Sequence, residues 1–204
     1  MDLSDRLRRA RVIPVVRTLE TRHAITAVQW LRDAGISIFE ITLTVPHAVG
    51  LIRELAGDPG LLIGAGTVPD RVTAEACLAA GARFIVAPWV DPELSTPCRD
   101  AGAVLMLGAL TPTEVRAALA GGADVVKIFP ASSAGGPGHI KALCSVFPGV
   151  SFCPTGGVDP GNVPAFLAAG AAFVGMGGAL VDETRIAAGD RDAIQSVARQ
   201  VMLP

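Results

Sequence analysis

The chain has 204 residues, of which 50% are hydrophobic and only 18% charged, with a formal net charge of −2 and a mean hydropathy of +0.49. That length suits one domain spanning residues 1–204, able to bury about 70% of the surface its unfolded form exposes. A small net charge with no long run of like charges excludes the footprint of a nucleic-acid or anionic-membrane binder, so no nucleic acid and no membrane is expected as a partner, and a small molecule is. The apolar excess predicts that part of the surface is covered by a partner subunit.

Cys77, Cys98, Cys144 and Cys153 lack C-x-x-C spacing, and the charged run Met1–Arg11 lacks the apolar core of a signal peptide. Both features predict a reducing, cytoplasmic setting. The uncharged stretch from Pro160 to Val181 is long enough to consider as a membrane span. Its glycines and prolines break it instead into a turn, a helix and a strand.

In chain order, the first apolar strand is predicted at 12–17, closing on Val16-Arg17-Thr18. A helix with Ala24, Val28 and Leu31 on one face follows and stops at Ala34-Gly35. The strand at 38–44 carries Glu40, Thr42 and Thr44 on one pleat face, and the strand at 61–67 closes with Gly64-Ala65-Gly66-Thr67. After the helix stop Ala80-Gly81 come a strand at 84–88, the stop Ala101-Gly102 and a strand at 104–109. A helix with Val115, Ala118 and Leu119 leads through Gly121-Gly122 to the strand at 125–130. Strands at 151–155 and 173–176 flank the stop Ala169-Gly170, and a last helix lies near 191–203.

Strict alternation of strand and helix requires a parallel sheet, and eight units point to a closed (β/α)₈ TIM barrel, class α/β. The alternative, an open doubly wound sheet, would place a glycine-rich turn after the first strand, where this chain has Arg17. In such a barrel the active site lies at the C-terminal strand ends.

Only two lysines occur beside 15 arginines, and one of them, Lys127, stands in the apolar run Val125-Val126-Lys127-Ile128-Phe129-Pro130. A charge on a fully buried strand is costly unless paired, and a lysine held there as the free amine is a nucleophile toward carbonyls. The alternative is an ammonium that snorkels out of the strand end or meets a carboxylate. Glu40, inside the same barrel, reads either as an acid or base for that amine or as its ion-pair partner. Gly156-Gly157 after strand 7 and Gly177-Gly178 after strand 8 occupy the two places where barrels commonly cradle phosphate with backbone amides, and Arg17 could add positive charge.

His23, His47 and His139 lack metal-ligand spacing, so neither a metal nor another cofactor is expected, and each belongs on a helix face or end. Lys141 and Trp30 read as a solvated and a packing residue; Trp89 could line a pocket or an interface. Cys153 reads as a small core filler.

Five segments in order, Val15-Val16-Arg17, Glu40-Ile41-Thr42-Leu43-Thr44-Val45-Pro46, Gly64-Ala65-Gly66-Thr67-Val68, Val126-Lys127-Ile128-Phe129-Pro130 and Pro154-Thr155-Gly156-Gly157, resemble the bacterial 2-keto-3-deoxy-6-phosphogluconate (KDPG) / 4-hydroxy-2-oxoglutarate (KHG) aldolase family. The resemblance implies a metal-independent class I aldolase of the Entner-Doudoroff type on a homotrimeric barrel, cleaving KDPG to pyruvate and glyceraldehyde 3-phosphate. It makes Lys127 the Schiff-base lysine and Glu40 the general acid/base. Arg17 and Thr67 would hold anionic groups, Pro88 and Phe129 would shape the pocket, and Thr155 would contact a substrate hydroxyl. Two departures stand out: some members have an arginine where this chain has Thr44, and the family's serine in the last loop is Gly178 here. Alternatives are the galactonate epimer or KHG as substrate, a phosphosugar isomerase or epimerase using Glu40 alone, and a catalytically idle binding protein.

Overall fold

All eight expected strands form in the computed structural model, which describes residues 3–202. They are β1 Val12–Val16, β2 Ile38–Thr42, β3 Leu62–Gly66, β4 Phe84–Ala87, β5 Val104–Ala109, β6 Val125–Ile128, β7 Phe152–Pro154 and β8 Val174–Met176. Most strands end within one residue of their expected ends, and two, β2 and β6, stop two residues short for local reasons. The backbone turns after Thr42, whose carbonyl accepts the Val45 amide at 3.0 Å, and Pro130 has no amide hydrogen to continue β6.

The helices are α1 Leu3–Ala10, α2 Thr21–Asp33, α3 Ala48–Ala56, α4 Arg71–Ala79, α5 Ser95–Asp100, α6 Pro112–Ala120, α7 Gly136–Val146, α8 Val163–Ala168, α9 Glu183–Ala187 and α10 Arg191–Met202. The expected stops sit where a left-handed residue is required: Gly35, Gly81, Gly102, Gly122 and Gly170 have φ of 101°, 103°, 60°, 87° and 105°. The described part of the last helix matches its expected start, and residue 203 lies outside the described residues.

Every strand pair is parallel, in the order β7-β6-β5-β4-β3-β2-β1-β8, and a bridge between Thr155 and Gly175 joins the two edges. The sheet is therefore the expected (β/α)₈ barrel rather than an open sheet. Strand parity sorts side chains into two cores. Phe39, Ile41, Ile63, Ile85, Leu105 and Val126 face outward and pack beneath the helices, for example on Leu31, Ile52 and Val115. The inward set, including Ile13, Ile38, Leu62, Phe84, Met106 and Phe173, fills the barrel interior. Burial on both faces explains why these strands read as unbroken apolar runs.

Helices α1 and α9 were not foreseen. The charged N-terminal segment is helix α1, whose one fully buried side chain, Leu7, joins the interior cluster at the N-terminal end of the barrel. No helix among the described residues is long and apolar enough to cross a membrane, and Val163–Ala168 and Val174–Met176 divide the uncharged stretch as expected.

Candidate active site

Inward-facing glycines create the room for the polar layer above this apolar plug. A Cβ on Gly64 would overlap the Phe84 ring, one on Gly66 would overlap the Glu40 carboxylate, one on Gly108 the Pro88 backbone, and one on Gly175 the Thr155 hydroxyl. Each large inward residue thus rests against a neighbouring strand that has no side chain at that level. Glu40, Thr42, Lys127 and Thr155 are buried, with exposures of 5%, 0%, 5% and 6%.

Lys127 Nζ donates to Glu40 Oε1 at 3.2 Å and to Oε2 at 3.5 Å, across the barrel interior from β6 to β2. With both side chains removed from water, the pair is held together and each partner is positioned by the other. The same register that sets Lys127 beside Gly108 on β5 sets it beside Cys153 on β7. Burial pushes the Cys153 thiol up to about 12, and its sulfur lies 3.8 Å from Thr155 Oγ1. A thiol so desolvated stays neutral and serves as filler, the role its sequence context suggested.

Lys127 opens onto a cleft of about 820 Å³ at the C-terminal strand ends, lined also by Arg17, Thr67, Pro88, Phe129 and Thr155. Gly156, Gly157, Gly177 and Gly178 also line it; Glu40 reaches it through Lys127. Thr67 sits at φ 57°, an uncommon conformation for a β-branched residue, and its hydroxyl accepts from Arg17 Nη2 at 3.2 Å. That bond, from the end of β1 to the end of β3, spans the mouth above β2.

The β7 loop is fixed by its own hydrogen bonds. Gly156 and Gly157 have φ of 93° and 70°, Ser132 donates its amide to the Gly156 carbonyl at 3.0 Å, and Ser132 Oγ donates to the Gly157 carbonyl at 2.6 Å. The amides of Gly157 and Gly178 have no acceptor among the described residues, so they are free to donate to a bound molecule.

Two strand-end candidates do not join the site. Thr42 Oγ1 donates to the Val16 carbonyl at 3.0 Å and is satisfied inside the sheet, while Thr44, beyond the end of β2, is exposed and outside the cleft. Trp89 also lies outside the cleft, 43% exposed. Sequence reasoning missed Asp159, Asp182 and Glu183, which complete the wall. Their signal was position alone, two residues after the first glycine pair and four and five after the second. His23, on α2, holds Glu183 Oε1 at 2.6 Å; His47 precedes α3, and His139 on α7 meets the Leu110 carbonyl at 2.7 Å. Among the described residues no three His, Cys, Asp or Glu side chains cluster as metal donors.

Comparison with known proteins places the whole chain among its relatives. A relative from Treponema pallidum named 2-dehydro-3-deoxy-phosphogluconate aldolase is 34% identical, the match covering 96% of this chain and 94% of that one. A KHG/KDPG aldolase of Escherichia coli is 32% identical over 94% and 90% of the two chains. Among solved structures, the KDPG aldolase of Legionella pneumophila, with pyruvate captured as a covalent carbinolamine intermediate, superposes with a TM-score of 0.87 at 33% identity, covering 97% of each chain. A family model described as KDPG and KHG aldolase matches residues 3–197. With its fold and nearly its whole length matched, the chain belongs to the KDPG and KHG aldolase family.

Proposed function

We propose that this chain is a Schiff-base lyase that cleaves KDPG to pyruvate and glyceraldehyde 3-phosphate without a metal. One observation carries the reading: the sole lysine of the barrel interior meets a buried carboxylate at 3.2 Å on the floor of an 820 Å³ cleft. A structural ion pair would be as well served by a site closed to solvent. This one opens where substrates enter barrels of this kind.

The Lys127 amine adds to the C2 ketone, and loss of water leaves a protonated imine that withdraws electrons from C3. Glu40 takes the proton of the C4 hydroxyl, the C3–C4 bond breaks, the aldehyde departs, and its electron pair remains as an enamine. The proton returns from Glu40 to C3, and water releases pyruvate and the free amine. Because the imine itself is the electron sink, no Lewis acid is required. Arg17 and Thr67 hold the carboxylate of the pyruvate half, and Pro88 and Phe129 wall the pocket. Thr155 contacts a substrate hydroxyl, and the amides of Gly156, Gly157, Gly177 and Gly178 face the aldehyde tail. One domain over residues 1–204 carries this activity, in a cytoplasmic homotrimer. Support for the last points comes from four free cysteines, an apolar composition and the partly exposed Trp89.

Borohydride reduction in the presence of pyruvate, followed by peptide mass spectrometry, tests the reading directly. The expected product is a single adduct on Lys127, insensitive to chelators. Full activity in Lys127→Ala, or sugar-phosphate interconversion without an adduct, would point instead to an isomerase or epimerase using Glu40 alone. Size-exclusion chromatography with light scattering checks the trimer.

A further inference from the structure

We infer that the N-terminal face of the barrel, opposite the cleft, carries a second binding site, and that it takes a compact polyanion with carboxylate or phosphoryl oxygens. Its residues are separate from those of the cleft.

A cavity of about 310 Å³ opens where β1 and β2 begin, beside the ends of α1 and α10. Arg6, Arg9 and Arg11 line it together with the buried, apolar Val12 and Ile36 and the exposed Ser37. No carboxylate among the described residues lines it. The volume lies at the lower end of the range for ligand pockets, roughly 300–1,000 Å³, which suits a molecule of a few carbons.

The three guanidinium groups have no acceptor among the described residues, whereas Arg8, between them in the chain, donates to Ser151 at 2.9 Å and pairs with Asp5 at 3.7 Å. Carboxylates on the surrounding elements are committed elsewhere: Asp33 to Arg191 and Asp58 to Arg32, both at 2.7 Å. Arg6 and Arg9 are three residues apart on one helix, a spacing at which like charges repel. Arg11 holds φ 59°, the left-handed conformation that Gly35, Gly81, Gly102, Gly122 and Gly170 adopt at the other helix-to-strand turns. Glycine is the unstrained residue there, so the chain keeps a guanidinium at this turn against its backbone preference.

Basic residues near a helix C-terminus also complement the helix dipole, and α1, α2 and α10 all end around this cavity. Each end contributes roughly half a negative charge, about one and a half in all, against three full positive ones. The excess is about one and a half positive charges. A polyanion neutralises that excess, and guanidinium forks match the geometry of carboxylate and phosphoryl oxygens.

Isothermal titration calorimetry of the full chain with citrate and, separately, with inorganic pyrophosphate tests the site, the two probes distinguishing carboxylate from phosphoryl ligands. Saturable binding of at least one is expected at a Kd on the order of millimolar or tighter, and binding of neither overturns the inference. Arg9→Gln with Arg11→Gly removes two of the three charges without loading the backbone, since Arg9 is exposed and glycine suits φ 59°. The affinity is expected to fall about tenfold or more in this variant, with the fold intact by circular dichroism. Anion held in the cleft is common to both proteins and drops out of the comparison. Equal affinity in wild type and variant overturns the inference, and so does a loss confined to Arg17→Ala, which places the anion at the opposite end of β1.

Discussion

Replacing Gly66 by alanine adds one methyl group in the barrel interior, and that methyl lands on the Glu40 carboxylate, the proposed acid and base. A Cβ there overlaps Glu40 Oε1 and lies 2.7 Å from both Cδ and Cγ, closer than any unstrained contact allows. Glu40 is 5% exposed and cannot escape to solvent, so its carboxylate must move away from the position 3.2 Å from Lys127 Nζ. Overpacking of this kind destabilises by about 1–3 kcal/mol, and severing a buried pair by about 3–5 kcal/mol. A displacement of about 1 Å lowers kcat about 10²-fold, and complete loss of acid–base help up to about 10⁴-fold. Gly64→Ala is the matched control, on the same strand and the same face, where the methyl meets the Phe84 ring instead. It should lower the melting temperature by about 2–12 °C through overpacking alone, yet keep kcat within about threefold in the folded protein. Pyruvate release under saturating substrate, with melting curves on both variants, separates the two effects. A Gly66→Ala enzyme with wild-type kcat would refute the placement of Glu40 in the chemistry.

Three further outcomes follow from the same structure. Arg17→Ala removes a charge-assisted bond to the substrate carboxylate, worth about 1.5–3 kcal/mol, and kcat/KM should fall roughly 10- to 150-fold, mainly through KM. Burial pushes Cys77 up to about 11 and Cys98 and Cys153 up to about 12, so at neutral to mildly alkaline pH iodoacetamide should modify only the half-buried Cys144 of the native protein, read by peptide mapping. The α6 capping box gives a pH signature. The Thr111 amide, the Leu110 amide and the Thr111 hydroxyl hold Glu114 below its ordinary value of 4.5, so its contribution is present above that value and lost as pH falls through the lowered one. The melting-temperature gap between wild type and Glu114→Ala should therefore be open at pH 7 and close in acid.

How much of this was legible in the sequence follows from which forces act locally. Strands buried on both faces print apolar runs, and a left-handed helix stop demands glycine, so all eight strands and all five stops could be read without knowing any contact. Lys127 and Glu40 were legible for the same reason, since each is a charge in a run that tolerates none. Helix α1 was not, because its apolar face is only Leu3, Leu7 and Ala10 in a charged segment; its burial is decided by the open end of a barrel formed from distant segments. Nor could Thr42 be told from a substrate ligand, since the carbonyl that satisfies it belongs to Val16, 26 residues earlier.

The inward glycines carry the deeper lesson. Gly64, Gly66, Gly108 and Gly175 lie within strands, where they were expected, and none has positive φ. They are present for their missing volume, which is a property of the partner across the ladder and leaves no mark in the local sequence. Fill Gly66 and Glu40 has nowhere to sit; fill Gly175 and Thr155 loses its place. The buried polar layer is thus specified twice, once by the polar residues that the sequence displays and once by the empty positions opposite them. The second specification is the one that fixes distance. Chemistry that depends on a carboxylate within 3.2 Å of an amine is set as much by Gly66 as by Glu40.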